Sequence, residues 1–142
     1  LGIAGVGAQD NVFQAAKDAP LDEVYGRVYK ALEDHRFFVV YEINLGRNLA
    51  GFAERWGADY NRNQLEGIRA MVVCNGWYTN QVSNTDPSML ALCPLHLTLM
   101  HKAGTTTVLF ARPTVIARGS PAEPVLKEVE ERVIEAIRAG LE

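Results

Sequence analysis

Val72-Val73-Cys74-Asn75-Gly76-Trp77-Tyr78, followed by Asp86-Pro87, Leu92-Cys93-Pro94 and Thr105-Thr106-Thr107-Val108-Leu109-Phe110-Ala111-Arg112-Pro113, is the stretch that decides the fold. It holds both cysteines and two of the three histidines. Ile68, Ala70, Val72 and Cys74 fall on one side of an alternating run, so Gly67 to Cys74 predicts a strand. Leu90 to His101 and Thr105 to Arg112 predict two more, joined across Lys102-Ala103-Gly104 as a hairpin with glycine at the turn. Gly76 to Thr85 reads as a short helix or an irregular loop, closed by the turn signal Asp86-Pro87. The hairpin requires antiparallel pairing.

Upstream, Leu21, Val24, Tyr25, Val28 and Leu32 recur at helical spacing. Pro20 suits the first turn, and Asp22 and Glu23 complement the positive end of the helix dipole. Arg36 to Asn44 predicts a central strand, with Phe37, Val39, Tyr41 and Ile43 on one face and Phe38 and Val40 on the other. Asn44 caps a second helix bearing Leu45, Leu49, Phe52, Ala53 and Trp56, ended by Gly57. Asp59 to Glu66 is a polar loop. Gln9 to Lys17 supplies a short first strand. Downstream, Ser120-Pro121-Ala122-Glu123 is a capping box opening a helix with Val125, Val129, Val133, Ala136 and Ile137. The order β-α-β-α-β-(α)-β-β-α predicts a two-layer α+β domain, with a mostly antiparallel sheet and helices mainly on one face.

At 142 residues, 48% of them hydrophobic, one domain is expected over residues 9–142, with a core that needs neither metal nor cofactor. The net charge of −3 comes from 14 basic and 17 acidic residues without a basic stripe, which argues against nucleic acid as a partner. No apolar run approaches the ~20 residues of a transmembrane span. Leu1 to Ala8 is apolar and small. It reads as a signal-peptide remnant, whose Val6-Gly7-Ala8 fits a cleavage site, as a flexible Gly-rich arm or ordinary buried terminus, or as an apolar arm that docks on a partner. The first of these gives a periplasmic or secreted protein, and otherwise the protein is cytoplasmic.

Several features taken together resemble the domain-of-unknown-function family 302. They are the amphipathic helix from Pro20, the strand His35-Arg36-Phe37-Phe38-Val39-Val40-Tyr41-Glu42-Ile43, Cys74-Asn75, Asp86-Pro87, and Leu92-Cys93-Pro94 leading into a hairpin. Pro113 and a C-terminal helix complete the pattern, which spans about residues 11 to 139. The resemblance implies a fold first seen in a small thermophile protein, and it implies no reaction. Family members commonly place proline directly after the Cys-Asn pair, where this chain has Gly76, and a proline before the second cysteine, where this chain has Pro94 after it. Both departures adjoin the cysteines.

Cys74, Asn75, Trp77, Tyr78, Cys93 and His96 are the candidate ligand or partner contacts. Cys74 closes one strand and Cys93 opens another; on neighbouring strands their sulfurs meet. They are then core thiols, a structural disulfide or a working thiol pair, and the absence of Cys-x-x-Cys weighs against the last. Trp77 and Tyr78 either line a pocket or fold down over the core. Asn75 satisfies local backbone groups. Glu42, interrupting an apolar strand, calls for a partner such as Arg69 or His96 if its face is covered, although such a Glu more often sits at a strand's solvent edge. Cys93, His96, Met100 and His101 crowd one segment, but His96 and Met100 lie on the order of 13 Å apart along a strand and His101 points the other way, so no metal site is expected there.

No nucleophile elbow, zinc-hydrolase signature or phosphate-cradling loop is present, and Gly2-x-x-Gly5-x-Gly7 follows no strand. The expectation is a small non-enzymatic binding or assembly module, exported, whose sheet face or Trp77-Tyr78 loop meets a protein partner or a second copy. The alternative is a thiol-dependent sulfur or redox protein using Cys74 and Cys93, and after it a metal- or haem-binding protein.

Overall fold

The computed structural model describes residues 8–142. Residues 1–7, most of the apolar arm expected from the sequence, lie outside them. A short 3-10 turn at Ala8–Asn11 leads into β1 (Val12–Lys17), α1 (Leu21–Asp34) and β2 (Phe38–Ile43). Two short helices come next, α2 (Leu45–Ala50) and α3 (Ala53–Trp56), then β3 (Gly67–Cys74) and α4 (Gly76–Thr85). After a 3-10 segment at Pro87–Leu92 come β4 (Leu95–Lys102), β5 (Thr105–Ala111), α5 (Pro113–Ala117) and α6 (Glu123–Leu141).

The five strands form one sheet in the order β1-β5-β4-β3-β2, with every neighbouring pair antiparallel. The hairpin expected at Lys102–Gly104 is present. Ala103 and Gly104 both hold positive φ, at 50° and 80°, the backbone that a two-residue hairpin turn demands and that glycine adopts without strain. Val12 pairs with Ala111, so the first strand of the chain closes onto the last.

Period-two alternation sends Phe13, Met71, Val73, Leu95, Leu97, Leu99, Val108 and Phe110 to one face, where they meet Val24, Val28 and Leu32 of α1 and Val129, Val133 and Ile137 of α6 in a single core. α1 and α6 lie side by side over this face. They approach closely enough that a Cβ at Gly140 would stand 2.9 Å from the Val28 Cα. The α+β architecture, with its antiparallel sheet and a helical layer packed on it, is the one expected.

Several boundaries differ from the sequence reading. Among the described residues β2 is an edge strand that pairs with β3 alone, not a central one. Its register shifts between Val39 and Tyr41, leaving Val40 as a bulge. The extra residue inverts the alternation, so Phe37 and Val39 share the helix-covered side with Glu42 and not with Tyr41 or Ile43. Glu42 takes its hydrogen bond from the Tyr25 hydroxyl of α1 at 2.8 Å, and neither Arg69 nor His96 is its partner. Arg69 instead pairs with Asp22 at 2.9 Å and stacks 3.6 Å over the Tyr25 ring.

The helix expected from Leu45 to Trp56 is broken into α2 and α3 at Gly51 and Phe52. Its Asn44 cap is in place, accepting from the Arg47 N–H at 2.9 Å. Leu90 to Leu92 is 3-10 helix and not strand, because the Asp86 carboxylate accepts from the Ser88 N–H and starts a helical turn at Pro87. α6 begins at Glu123. Its capping residues are displaced by one, with the Glu123 carboxylate accepting from the Gly119 N–H at 2.8 Å and the Ser120 Oγ from the Ala122 N–H at 3.0 Å.

Candidate functional site

β3 ends at Cys74, and the next residue turns the chain into a helix. The Asn75 side chain accepts from the Tyr78 N–H at 3.0 Å, capping α4, and donates to the Arg36 carbonyl at 2.8 Å. One side chain thereby starts α4 and ties it to the mouth of β2. The first turn of α4 separates the two aromatics. Tyr78 stacks on Phe37 with ring centroids 5.9 Å apart and donates its hydroxyl to Glu128 of α6 at 2.9 Å, so it closes the end of the core. Trp77, its immediate neighbour, is 66% exposed.

The same turn places Thr79 beside the sulfurs. Its hydroxyl donates to the Asn75 carbonyl at 3.0 Å and lies 3.8 Å from the Cys74 Sγ. Cys93 sits in the extended link between the 3-10 segment and β4, half-buried, on the same cavity wall as Thr79 and Cys74. The two cysteines therefore meet around one threonine, as expected from their strands, although Cys93 precedes β4 and does not open it. Both are free thiols. Burial pushes the Cys93 thiol above its ordinary pKa; the Thr79 hydrogen bond opposes this and the neighbouring Cys74 adds to it. Such surroundings hold the neutral thiol and disfavour the nucleophilic thiolate.

Cys74, Asn75, Tyr78 and Cys93 all line one small cavity of about 20 Å³, together with Thr79 and Val82. That volume holds about one water molecule and no larger ligand. Trp77 and His96 do not belong to its wall. His96 is exposed on the sheet face opposite the helices, level with Val72 of β3. His101 faces the helical side and shares a 2.8 Å hydrogen bond with the Thr106 hydroxyl. Among the described residues no group of three or more His, Cys, Asp or Glu side chains is placed to hold a metal ion.

A second, larger cavity escaped the sequence reading. It measures about 600 Å³ and lies between the segment Asn44–Glu66 and the body formed by the start of α1 and of β3. From residue 44 to residue 64 no side chain is buried. α2 nevertheless lies close on β3: a Cβ at Gly46 would stand 3.1 Å from the Ile68 nitrogen, tighter than an ordinary contact, so glycine suits this approach. Leu49, Phe52 and Trp56, expected on one second helix, are all exposed. Gly51, at the break between α2 and α3, and Gly57, with its positive φ, were the signal that this segment bends.

The profile described as "Domain of unknown function DUF302" matches residues 13–140. No curated protein matches the chain. Among solved structures, the crystal structure of an uncharacterized conserved DUF302 protein from Bacillus stearothermophilus is similar, with a TM-score of 0.77 at 17% identity. The likeness covers 91% of this chain and 97% of that one. At that identity the structure speaks for the shared fold, and the profile match over most of the sequence establishes the lineage. The chain belongs to the DUF302 family.

Proposed function

We propose that this protein is a non-catalytic binding and assembly module whose β2 edge pairs with a second copy of itself. The observation that carries the reading is the contrast between the two edges that the sheet has among the described residues. β1 exposes Gln14 and Ala16 and ends in Lys17, whose ammonium donates to the Leu141 carbonyl. β2 carries no proline and no lysine, and it exposes Phe38 (46%), Val40 (60%) and Tyr41 (63%). Natural sheets blunt a free edge with proline, lysine, bulges or inward charges. β2 has the Val40 bulge and Glu42 but leaves three large apolar side chains exposed, and such a surface is one that another chain covers. Trp77 extends the same margin, since Asn75 two residues before it is bonded to Arg36 at the start of β2. Antiparallel self-pairing sets the Arg36 end of one copy against the Glu42 end of the other, which joins unlike charges and needs no second kind of partner.

Light scattering after size exclusion tests this reading. Wild type is expected to run as a dimer at micromolar concentration, while Val40→Lys and Tyr41→Lys, both at exposed positions, are expected to run as folded monomers. A wild-type chain that stays monomeric at every concentration overturns self-pairing. Export belongs to the same proposal, supported by the small apolar composition of Leu1–Ala8. Fractionation of cells expressing the natural gene tests it, and a purely cytosolic protein removes that part.

A second reading, thiol-dependent sulfur or redox work, is favoured by the meeting of Cys74 and Cys93 at the Thr79 hydroxyl. The raised Cys93 pKa and the smallness of the cavity weigh against it. Thiol titration of native protein decides: two thiols that react only after unfolding exclude this reading.

A further inference from the structure

We propose that the 600 Å³ cavity beneath the Asn44–Glu66 segment is a binding site for a small planar aromatic molecule carrying one anionic group, independently of any pairing at β2. Its volume falls within the range of small-molecule pockets. Trp56 and Tyr60 supply flat apolar surface from the covering segment, and Leu21 and Ile68 supply it from the body. Trp56 remains 42% exposed, stacked on Phe52 with ring centroids 4.8 Å apart. The segment is held as an arch by its ends and not by a core. Asn44 caps α2, the Asn61 side chain bonds both the N–H and the carbonyl of Leu65, and the Glu66 N–H bonds the His101 carbonyl. An arch of this kind encloses volume that its own apolar side chains leave unfilled.

One basic side chain of the wall, Arg47, points to the anionic group of the ligand. All three acidic residues of its wall are engaged. Asp22 is paired with Arg69, Asp59 with Arg62, and Glu66 accepts from the Ala103 N–H at 3.1 Å and lies 3.7 Å from His101. Arg69 is spent on Asp22 and on the Tyr25 ring. Arg47 is the remaining charge of the wall, and among the described residues its guanidinium has no carboxylate partner. A guanidinium beside apolar and aromatic surface takes a carboxylate or similar oxyanion through paired N–H donors.

The test uses 2-naphthoate, with 2-naphthamide as the neutral analogue of equal shape, titrated calorimetrically into the full chain. Saturable one-site binding of naphthoate is expected, tighter than the amide. Arg47→Gln, which keeps the backbone N–H that Asn44 caps, is expected to weaken naphthoate by roughly tenfold and leave the amide unchanged. Ala50→Trp places a ring in the cavity from an exposed position and is expected to abolish both, with the circular dichroism of the fold retained. Trp56 fluorescence in a Trp77→Phe background reports the same site, because these are the two tryptophans of the chain. No saturable binding up to about 1 mM, equal affinity for acid and amide, or binding that survives Ala50→Trp overturns the proposal. Naphthoate binding that Val40→Lys removes and Ala50→Trp spares assigns it to the β2 margin and overturns it likewise.

Discussion

The Tyr25 hydroxyl donates to the Glu42 carboxylate across 2.8 Å, joining the middle of α1 to the edge strand just past its bulge. Its ring lies under the Arg69 guanidinium, which in turn holds Asp22 at the start of α1. Burial, then the hydrogen bond to Glu42, raises the Tyr25 pKa well above the usual tyrosine value. The folded state therefore keeps this proton after the unfolded chain would release it. The associated stability is fully present below pH ~10 and is lost as pH climbs beyond it. Chemical denaturation of Tyr25→Phe should show a loss of about 1 kcal/mol near neutrality and a shallower decline than wild type above pH ~10. Parallel alkaline curves for the two proteins would contradict this.

Gly26 and Gly140 should answer the same substitution with opposite signs. Both lie within helices, where alanine is intrinsically better by about 1 kcal/mol. A Cβ at Gly26 meets nothing within 4 Å, so Gly26→Ala should gain most of that amount. A Cβ at Gly140 meets the Val28 Cα at 2.9 Å and the Arg27 carbonyl at 3.1 Å, both of them backbone atoms. Separating α1 from α6 should make Gly140→Ala less stable by about 1–3 kcal/mol, read from urea midpoints.

Asp86 joins three segments. It accepts from the Ser88 N–H and hydroxyl and from the Ser120 hydroxyl, the last at 2.6 Å. The Ser120 bond, and after it that of Ser88, lowers its pKa. The stability it contributes is present above the ordinary aspartate range and disappears as pH falls through the depressed value. Asp86→Asn should melt below wild type at pH 7, and the two thermal curves should converge under strongly acid conditions.

Thr79 stands between the two thiols, and its hydrogen bond partly offsets the effect of burial on Cys93. Thr79→Val should push the Cys93 pKa higher still. Iodoacetamide labelling with peptide mass spectrometry should find Cys93 slower than a free thiol in wild type and slower again in the variant. Faster labelling of Cys93 in Thr79→Val would refute the assigned role.

Much of this architecture was legible because single residues signalled it. Asn44 and Asn75 each announced a helix start, Ala103-Gly104 a hairpin, and the α1 periodicity a buried face. The meeting of Cys74 and Cys93 came from reading their segments as neighbours. Other features were hidden for physical reasons. A bulge at Val40 is one extra residue in an otherwise alternating run, and alternation carries no mark of where a partner strand skips a position. That shift placed Glu42 on the helix side of an edge strand, within reach of Tyr25. Trp77 and Tyr78 were paired by adjacency, whereas successive residues on a helix diverge by about 100°, which sends one to the core and the other to solvent. The large cavity was invisible because periodicity reports which side of a segment is apolar, and not whether anything lies against it.

The pairing of Val12 with Ala111 has a consequence for synthesis. A chain emerging from the ribosome presents β1 before β2 to β5, yet among the described residues its hydrogen-bonding neighbour is β5, made after the other four strands. The β2–β3–β4 portion can zip together while the amino-terminal strand waits, its backbone groups served by water alone. Completion of the sheet is thus a late, long-range event, and a release of the nascent polypeptide short of Ala111 leaves that leading segment without a place to dock.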